Sequence, residues 1–211
     1  MSSSAAQFPL DAKTSALLVI DMQNDFLDPG GYFGQRGMDV GRLGRAVEPI
    51  AALLEVLPSK MRAVFTVQVF EPDGSDDLQR VHRLRPARLL RSGGGGPVIR
   101  GSWGAEILPT LRPRPQDLAI SKRRFDAFYR TDLELLLRCW GVKTIIFAGV
   151  VADVCVETTL RSAYVRDFDV VLLLAGLGLA ALGAMLIYSG SLSRFGEPEV
   201  SDLSHPVVRQ A

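Results

Sequence analysis

Short apolar runs alternate along the chain with stretches whose apolar residues recur at helical spacing. The runs have the length of buried strands, and polar or turn-forming residues follow them. The pattern predicts five strands: Ala16–Ile20, Ala63–Val69, Asp117–Ser121, Thr144–Val150 and Val170–Leu174. Because strands buried on both faces alternate with helices, we predict a mainly parallel sheet with helices on each side.

The length of 211 residues fits one α/β domain, and no linker or internal repeat divides the chain. We therefore predict a single doubly wound α/β/α domain over residues 1–211. Its core is expected to run from about residue 14 to residue 203, between two short tails.

Three stretches carry signals for the ends of helices. Residues 40–57 have helical periodicity, and Pro49 must either kink this helix or lie near its start. Ser102 is a candidate N-cap of a short helix. Thr131 and Glu134 have the spacing of a capping box, and Gly141 is expected to end the helix that they begin.

Two stretches depart from the alternation. Residues 71–100 form a long irregular section ending in four glycines, and its arginine-rich part, 80–91, predicts a solvated face or one that contacts anions or another subunit. Residues 170–188 carry no charge and approach the length of a membrane span. Their strand-like start and three glycines favour instead a buried strand, a turn and a short apolar helix.

The composition excludes several classes of protein. With 47% hydrophobic and 22% charged residues, it is that of a soluble globular domain. A net charge of +1 does not favour a nucleic-acid partner, which normally requires a basic face. Two cysteines and the absence of a signal-peptide pattern predict a cytoplasmic protein without disulfides.

Reactive side chains follow three of the predicted strands. Asp21 follows the first strand, Lys122 the third, and Cys155 the fourth. We expect them to meet, because ligands of an open parallel sheet bind beyond the carboxyl ends of its strands. A cysteine in the first turn of a helix, near an ammonium, is expected to favour its thiolate. Asp21 is the candidate base, since neither His82 nor His205 follows a strand.

Each of these residues also has a structural interpretation. Cysteine is among the most buried residue types, aspartate commonly caps turns, and Lys122 could be one solvated cation in a basic stretch. The two histidines form no pair with ligand spacing, so neither a zinc nor an iron site is expected. The spacing of residues alone leaves the catalytic and structural interpretations open.

Three motifs contain the residues that follow the strands. They are VIDMQNDFLDPGG at 19–31, KRRFDAFYRTDL at 122–133 and GVVADVCVETTLRSA at 149–163. In this order, they make the chain resemble the isochorismatase-like cysteine hydrolases. The resemblance implies a catalytic triad of Asp21, Lys122 and Cys155. It also implies a cis peptide bond between Val150 and Val151, and an oxyanion hole formed by the backbone N–H groups of Val151 and Cys155.

The resemblance further implies hydrolysis of a C–N amide bond through a covalent thioester, with no cofactor. Within the family the chain is similar to ureidoacrylate- and biuret-type amidohydrolases, in GGY at 30–32, in residues 100–117 and in the lysine motif. A small carbamoyl or ureido compound is therefore the expected substrate. The alternatives are another small amide or ester, or a non-catalytic binding or scaffold protein. Nicotinamidases are disfavoured, because residues 67–77 lack the histidine of their metal site.

Four residues in or near the motifs are candidates for substrate binding. Phe26, Trp103 and Phe128 are predicted to form apolar walls around a flat amide, although Trp103 and Phe128 could equally be core aromatics. Asn24 is expected either to hydrogen-bond near Asp21 or to turn the chain.

Three features depart from the family pattern. Asp126 adds a carboxylate near the expected pocket, and Asp153 could either raise the pKa of the Cys155 thiol or point away and cap the helix. Residues 175–187 are apolar where the family usually has a polar loop and an amphipathic helix. Because a monomer rarely exposes such a patch, we predict a homodimer or homotetramer with this segment or the long loop at its interface.

Overall fold

The strands form one sheet that is parallel except at one edge. The computed structural model describes residues 10–76, 96–173 and, for the backbone only, 186–188. Six strands of this part of the chain have the order β3-β2-β1-β4-β5-β6. They are β1 (Ser15–Ile20), β2 (Arg62–Gln68), β3 (Leu118–Lys122), β4 (Thr144–Gly149), β5 (Asp169–Leu172) and β6 (Leu186–Tyr188). The first five are parallel, and β6 is antiparallel to β5. The predicted fold class is confirmed.

Helices and short turns connect the strands. The helices are α1 (Asn24–Leu27), α2 (Tyr32–Gln35), α3 (Val40–Gly44), α4 (Val47–Val56), α5 (Leu133–Cys139) and α6 (Glu157–Tyr164), with 3₁₀ turns at Trp103–Ala105 and Pro109–Leu111. The helix predicted over 40–57 is thus two helices. Pro49 lies in the first turn of α4, where backbone N–H groups have no acceptor within the helix, so the absence of an N–H in proline costs no hydrogen bond.

The two faces of β1 enter two separate apolar clusters. Leu17 and Val19 pack with Phe65 of β2 and Ile50 of α4. Residues 18 and 20 point the other way, into a cluster that includes Leu137 of α5 and residue 163 of α6. Successive side chains of a strand alternate between its faces, so β1 is buried along all six residues. It is the central strand, and its carboxyl end opens onto the candidate site.

Two predicted helix caps differ from the structure. Ser102 precedes the 3₁₀ turn, but its hydroxyl donates to the Ile99 carbonyl at 2.7 Å and caps no N–H group. Thr131 Oγ1 accepts a hydrogen bond from the Leu133 N–H at 3.3 Å. The Glu134 carboxylate does not complete the capping box, because it pairs at 3.0 Å with an arginine beyond α6.

The apolar stretch 170–188 contains two described strands. Its start forms β5 as predicted, but residues 186–188 form β6 instead of the end of a helix, since Ile187 pairs with Val171. Residues 174–185 lie outside the described residues, as do the arginine-rich stretch 80–91 and both histidines. The predictions made for them, including the oligomer interface, stay predictions. No helix of the described chain is both long and apolar enough to span a bilayer.

Candidate active site

Four neighbouring strands each bring one polar side chain to the carboxyl edge of the sheet. Asp21 follows β1, Gln68 ends β2, Lys122 ends β3, and Cys155 lies in the helical segment after β4. The strand order reverses direction between β1 and β4, and such a switch point is where open α/β sheets bind ligands. The structure therefore brings together the three residues that the sequence indicated, and it adds Gln68.

The backbone of Asp21 turns the chain away from the sheet. Its φ of 52° is in the left-handed region, which aspartate tolerates better than most residues. The Asp21 N–H still donates to the Thr66 carbonyl at 3.1 Å. The Thr66 hydroxyl donates in turn to Asp21 Oδ1 at 2.7 Å. Asp21 is fully buried, so Thr66 both ends the strand pairing and orients the carboxylate.

The ammonium of Lys122 lies at the centre of the site. Its Nζ is 2.7 Å from Asp21 Oδ2, 2.8 Å from Gln68 Oε1, 3.2 Å from the Arg124 carbonyl oxygen and 3.5 Å from Cys155 Sγ. The side chain is completely buried. A buried ammonium is tolerated when it is paired and hydrogen-bonded, as this one is. The alternative that Lys122 is a solvated surface cation is therefore wrong.

Cys155 lies in a π-helical segment (Ala152–Val156) that continues directly into α6. Burial raises the pKa of the Cys155 thiol to about 12; the charge of Asp21 and a hydrogen bond to it also raise it, whereas Lys122 lowers it. The thiol is thus protonated at neutral pH. Lys122 favours the thiolate, as expected, but burial and the Asp21 carboxylate outweigh it.

Asp153 and Asp126 do not act on this thiol. Asp153 is exposed, and the pKa of Cys155 is set by burial, Asp21 and Lys122. The Asp126 carboxylate accepts hydrogen bonds from the N–H of residue 128 and the hydroxyl of residue 162, each at 2.8 Å. It therefore ties the lysine motif to α6.

Gly149 brings β4 into close contact with β1 beside the site. Its φ is 136°, and a Cβ at this position would overlap the Ile20 carbonyl oxygen and lie 2.6 Å from the Ile20 nitrogen. The Val150 N–H donates to the same carbonyl at 3.0 Å. The next peptide bond, between Val150 and Val151, is cis, at the position that the resemblance implies. The chain leading to Cys155 thus passes directly beside the residue that precedes Asp21.

Hydrogen bonds between two glutamines connect the segment after β1 to the end of β2. Gln23 Nε2 donates to the carbonyl oxygens of Gln68, at 2.9 Å, and Ala105, at 2.8 Å. Gln23 Oε1 accepts from the Gln68 backbone N–H at 2.8 Å. These bonds fix the backbone of Gln68, whose side chain contacts Lys122.

A threonine links the Cys155 segment to the lysine motif. Thr159 Oγ1 donates to the Cys155 carbonyl oxygen at 2.7 Å and accepts from the Ala127 N–H at 3.1 Å. Sequence reasoning missed Thr159, as it missed Thr66 and Gln68. The last two left a signal, since they are polar residues close to the end of an otherwise apolar strand.

Two of the pocket candidates, the buried Asn24 and the exposed Trp103, lie together near α1. Asn24 begins α1, and its Nδ2 donates to the Trp103 carbonyl oxygen at 2.7 Å. The bond joins the first motif to the 3₁₀ turn at Trp103. Trp103 itself is 50% exposed, so it is not the core aromatic of the alternative interpretation.

The two phenylalanines lie in the apolar clusters. Phe26 packs against Phe33, with ring centroids 4.9 Å apart, on the α4 face of the sheet. Phe128 is buried in the cluster on the opposite face and stacks on Phe168 at 6.0 Å. Phe128 is therefore a core aromatic, which was the alternative to a place in the pocket wall. Within residues 10–76 and 96–173, no three His, Cys, Asp or Glu side chains lie close enough together to hold a metal ion.

Known proteins are similar to this chain in sequence and in fold. An isochorismatase domain model matches residues 15–176. The ureidoacrylate amidohydrolase RutB of Caulobacter segnis is 32% identical to this chain, and the match covers 76% of this chain and 70% of the relative. The RutB protein of Methylorubrum extorquens is 33% identical, and the match covers 75% of this chain and 67% of the relative. A crystal structure of a cysteine hydrolase from Pseudomonas syringae pv. phaseolicola superposes with a TM-score of 0.67 at 28% identity, covering 82% of this chain and 76% of that one.

Proposed function

The chain belongs to the isochorismatase family, and from this premise we propose that it is a cysteine-dependent amidohydrolase of small ureido or carbamoyl compounds. One observation carries the proposal: the buried Lys122 ammonium lies 2.7 Å from the Asp21 carboxylate and 3.5 Å from the Cys155 sulfur. A thiol, a base and a cation in mutual contact are what nucleophilic catalysis by cysteine requires. The names of the ureidoacrylate amidohydrolase relatives support the substrate class.

In the proposed acylation step, Cys155 Sγ attacks the carbonyl carbon while the thiol proton passes to Asp21. The Lys122 ammonium stabilises the negative charge as it moves between the two groups. The N–H groups of Val151 and Cys155 are the proposed donors to the tetrahedral oxygen, where donors held in place contribute most. Collapse breaks the C–N bond, Asp21 returns the proton to the leaving nitrogen, and an acyl or carbamoyl thioester remains on Cys155.

In the proposed second step, water attacks the thioester. Asp21 accepts a proton from the water, and Cys155 leaves as a thiol after the C–S bond breaks. The raised pKa of Cys155 fits this cycle, since the thiol keeps its proton until a substrate carbonyl is present to be attacked. Asp21 then takes part in every proton transfer, and the Lys122 ammonium stabilises the negative charge of its carboxylate in each step.

The test is release of ammonia or amine from 3-ureidopropionate, biuret, other N-carbamoyl amino acids and nicotinamide. Cys155→Ala is expected to lower the rate with the best substrate by about 10³-fold or more, because it removes the nucleophile. Cys139→Ala is the matched control, since Cys139 is the exposed second cysteine, and it is expected to keep full activity. Unchanged release in Cys155→Ala would exclude the thioester mechanism, and release from none of the ureido compounds would exclude the substrate class.

A further inference from the structure

Among the described residues, the side-chain amide of Gln68 has a hydrogen-bond partner at one end, its oxygen. Its Oε1 accepts a hydrogen bond from Lys122 Nζ at 2.8 Å. Because an ammonium can only donate, the atom facing it must be the oxygen, and this fixes the orientation of the amide. Nε2 is buried, and no described residue accepts a hydrogen bond from it. Gln68 is only 4% exposed, so within the described part of the chain a strong donor is left without an acceptor inside the site.

The hydrogen bonds around Gln68 show that loose packing does not explain why Nε2 lacks an acceptor. The two Gln23 contacts hold the Gln68 backbone from both its N–H and its carbonyl group. Gln68 also lies directly opposite Lys122 in the pairing of β2 with β3. A buried amide donor without an acceptor destabilises a protein, and such a group in a native structure calls for an explanation.

We propose that Gln68 is a substrate-binding residue whose Nε2 donates a hydrogen bond to a carbonyl or carboxylate oxygen of the substrate. Nε2 shares its carbon with Oε1, which touches Lys122, and Lys122 touches the Cys155 sulfur. A molecule bound at the thiol therefore meets this N–H group. Since Oε1 is occupied, Gln68 can recognise only an acceptor, and it selects compounds with an oxygen at this point. The inference rests on the proposed function for the class of substrate.

The test measures binding without turnover, by calorimetry in a Cys155→Ala background. The two probes are biuret, which is uncharged, and 3-ureidopropionate, which carries a carboxylate. Gln68→Met removes the donor and is expected to weaken binding of biuret by about 3- to 10-fold. Gln68→Glu keeps an oxygen toward Lys122 and replaces the donor by a second oxygen, so it is expected to weaken binding at least as much. Gln116→Glu makes the same chemical change at an exposed residue and is expected to have no effect.

The outcomes separate this inference from the proposed function. Binding of biuret that is weakened in both Gln68 variants and unchanged in Gln116→Glu supports the inference. Equal binding in all variants overturns it and leaves the proposed function intact. If neither probe binds the Cys155→Ala protein, the proposed substrate class is wrong and the inference falls with it. If Gln68→Met loses its native circular dichroism spectrum, the nearly isosteric Gln68→Glu decides alone.

Discussion

Asp21 Oδ2 lies 2.7 Å from Lys122 Nζ, and solvent reaches neither side chain. The pair joins the ends of β1 and β3 across β2, which lies between them in the sheet. A buried ion pair of this kind adds little net stability compared with well-packed hydrocarbon, because both charges lose their hydration. Its contact with Cys155 fits the proposed catalytic role, which an apolar pair could not fill.

Lys122→Met is expected to destabilise the protein by about 3–5 kcal/mol, because it leaves the Asp21 carboxylate buried without its counter-ion. Urea unfolding measures this free energy. Lys143→Met is the control, since Lys143 is exposed, and it is expected to change the stability by no more than about 0.5 kcal/mol. Equal losses in the two variants would contradict a structural dependence of Asp21 on Lys122.

Asp21→Asn is expected to lower the pKa of Cys155 from about 12, because the carboxylate raises it by its charge and by its hydrogen bond. A lower pKa means more thiolate at pH 8, so iodoacetamide should alkylate Cys155 faster than in the parent protein. Amide hydrolysis should fall at the same time, since the base is lost. The measurement is the pH dependence of alkylation in a Cys139→Ser background, in which Cys155 is the sole cysteine.

Asp153→Asn provides the matched control for that experiment. It makes the same chemical change two residues from the nucleophile, but Asp153 is exposed and does not set the pKa of Cys155. Its alkylation profile should therefore overlay that of the parent protein. Slower alkylation in Asp21→Asn would contradict the assigned effect of the carboxylate on the thiol.

Thr66→Val is expected to reduce both stability and turnover, because it removes the hydroxyl that donates to Asp21 Oδ1 at 2.7 Å. Valine has nearly the same shape, so the loss reports the hydrogen bond and should be about 1–3 kcal/mol by urea unfolding. Thr66→Ser retains the hydroxyl, and it should keep most of the kcat of the parent protein. Full activity in Thr66→Val would show that Asp21 does not need this orientation.

The sequence was sufficient to predict the sheet and the meeting of three reactive residues. Parallel pairing follows from the alternation of strands and helices, and parallel strands bring the residues that follow them to one edge of the sheet. Asp21, Lys122 and Cys155 were visible because each is a reactive residue at or just after a strand end. Gln68 left only a weaker signal, a polar residue near the end of an apolar strand, and this pattern is the same whether the side chain faces solvent or an ammonium.

Other features depend on contacts between distant segments, which local patterns do not contain. The pKa of Cys155 is set by burial and by Asp21, 134 positions earlier in the numbering. The predicted capping box fails because Glu134 meets an arginine beyond α6, which competes for its carboxylate. Residues 186–188 form a strand because the edge of β5 is available to pair with them.

Gly149→Ala is expected to destabilise the protein by more than about 3 kcal/mol, because two costs add. The φ of 136° is unfavourable for alanine, and the new Cβ would collide with backbone atoms of Ile20, which no side-chain rotation can relieve. Separation of β4 from β1 would also move the Cys155 segment relative to Asp21, so hydrolysis should be lost even at temperatures where the variant stays folded.

Gly141→Ala separates the two costs. Gly141 has a φ of 68° at the end of α5, but nothing lies within 4 Å of the position that a Cβ would take. Only the conformational cost applies there, about 1 kcal/mol, and hydrolysis should be unaffected because the helix end is remote from the sheet edge that holds Cys155. If urea unfolding gave the same loss for both variants, the close approach of β1 and β4 would not be the reason that position 149 requires glycine.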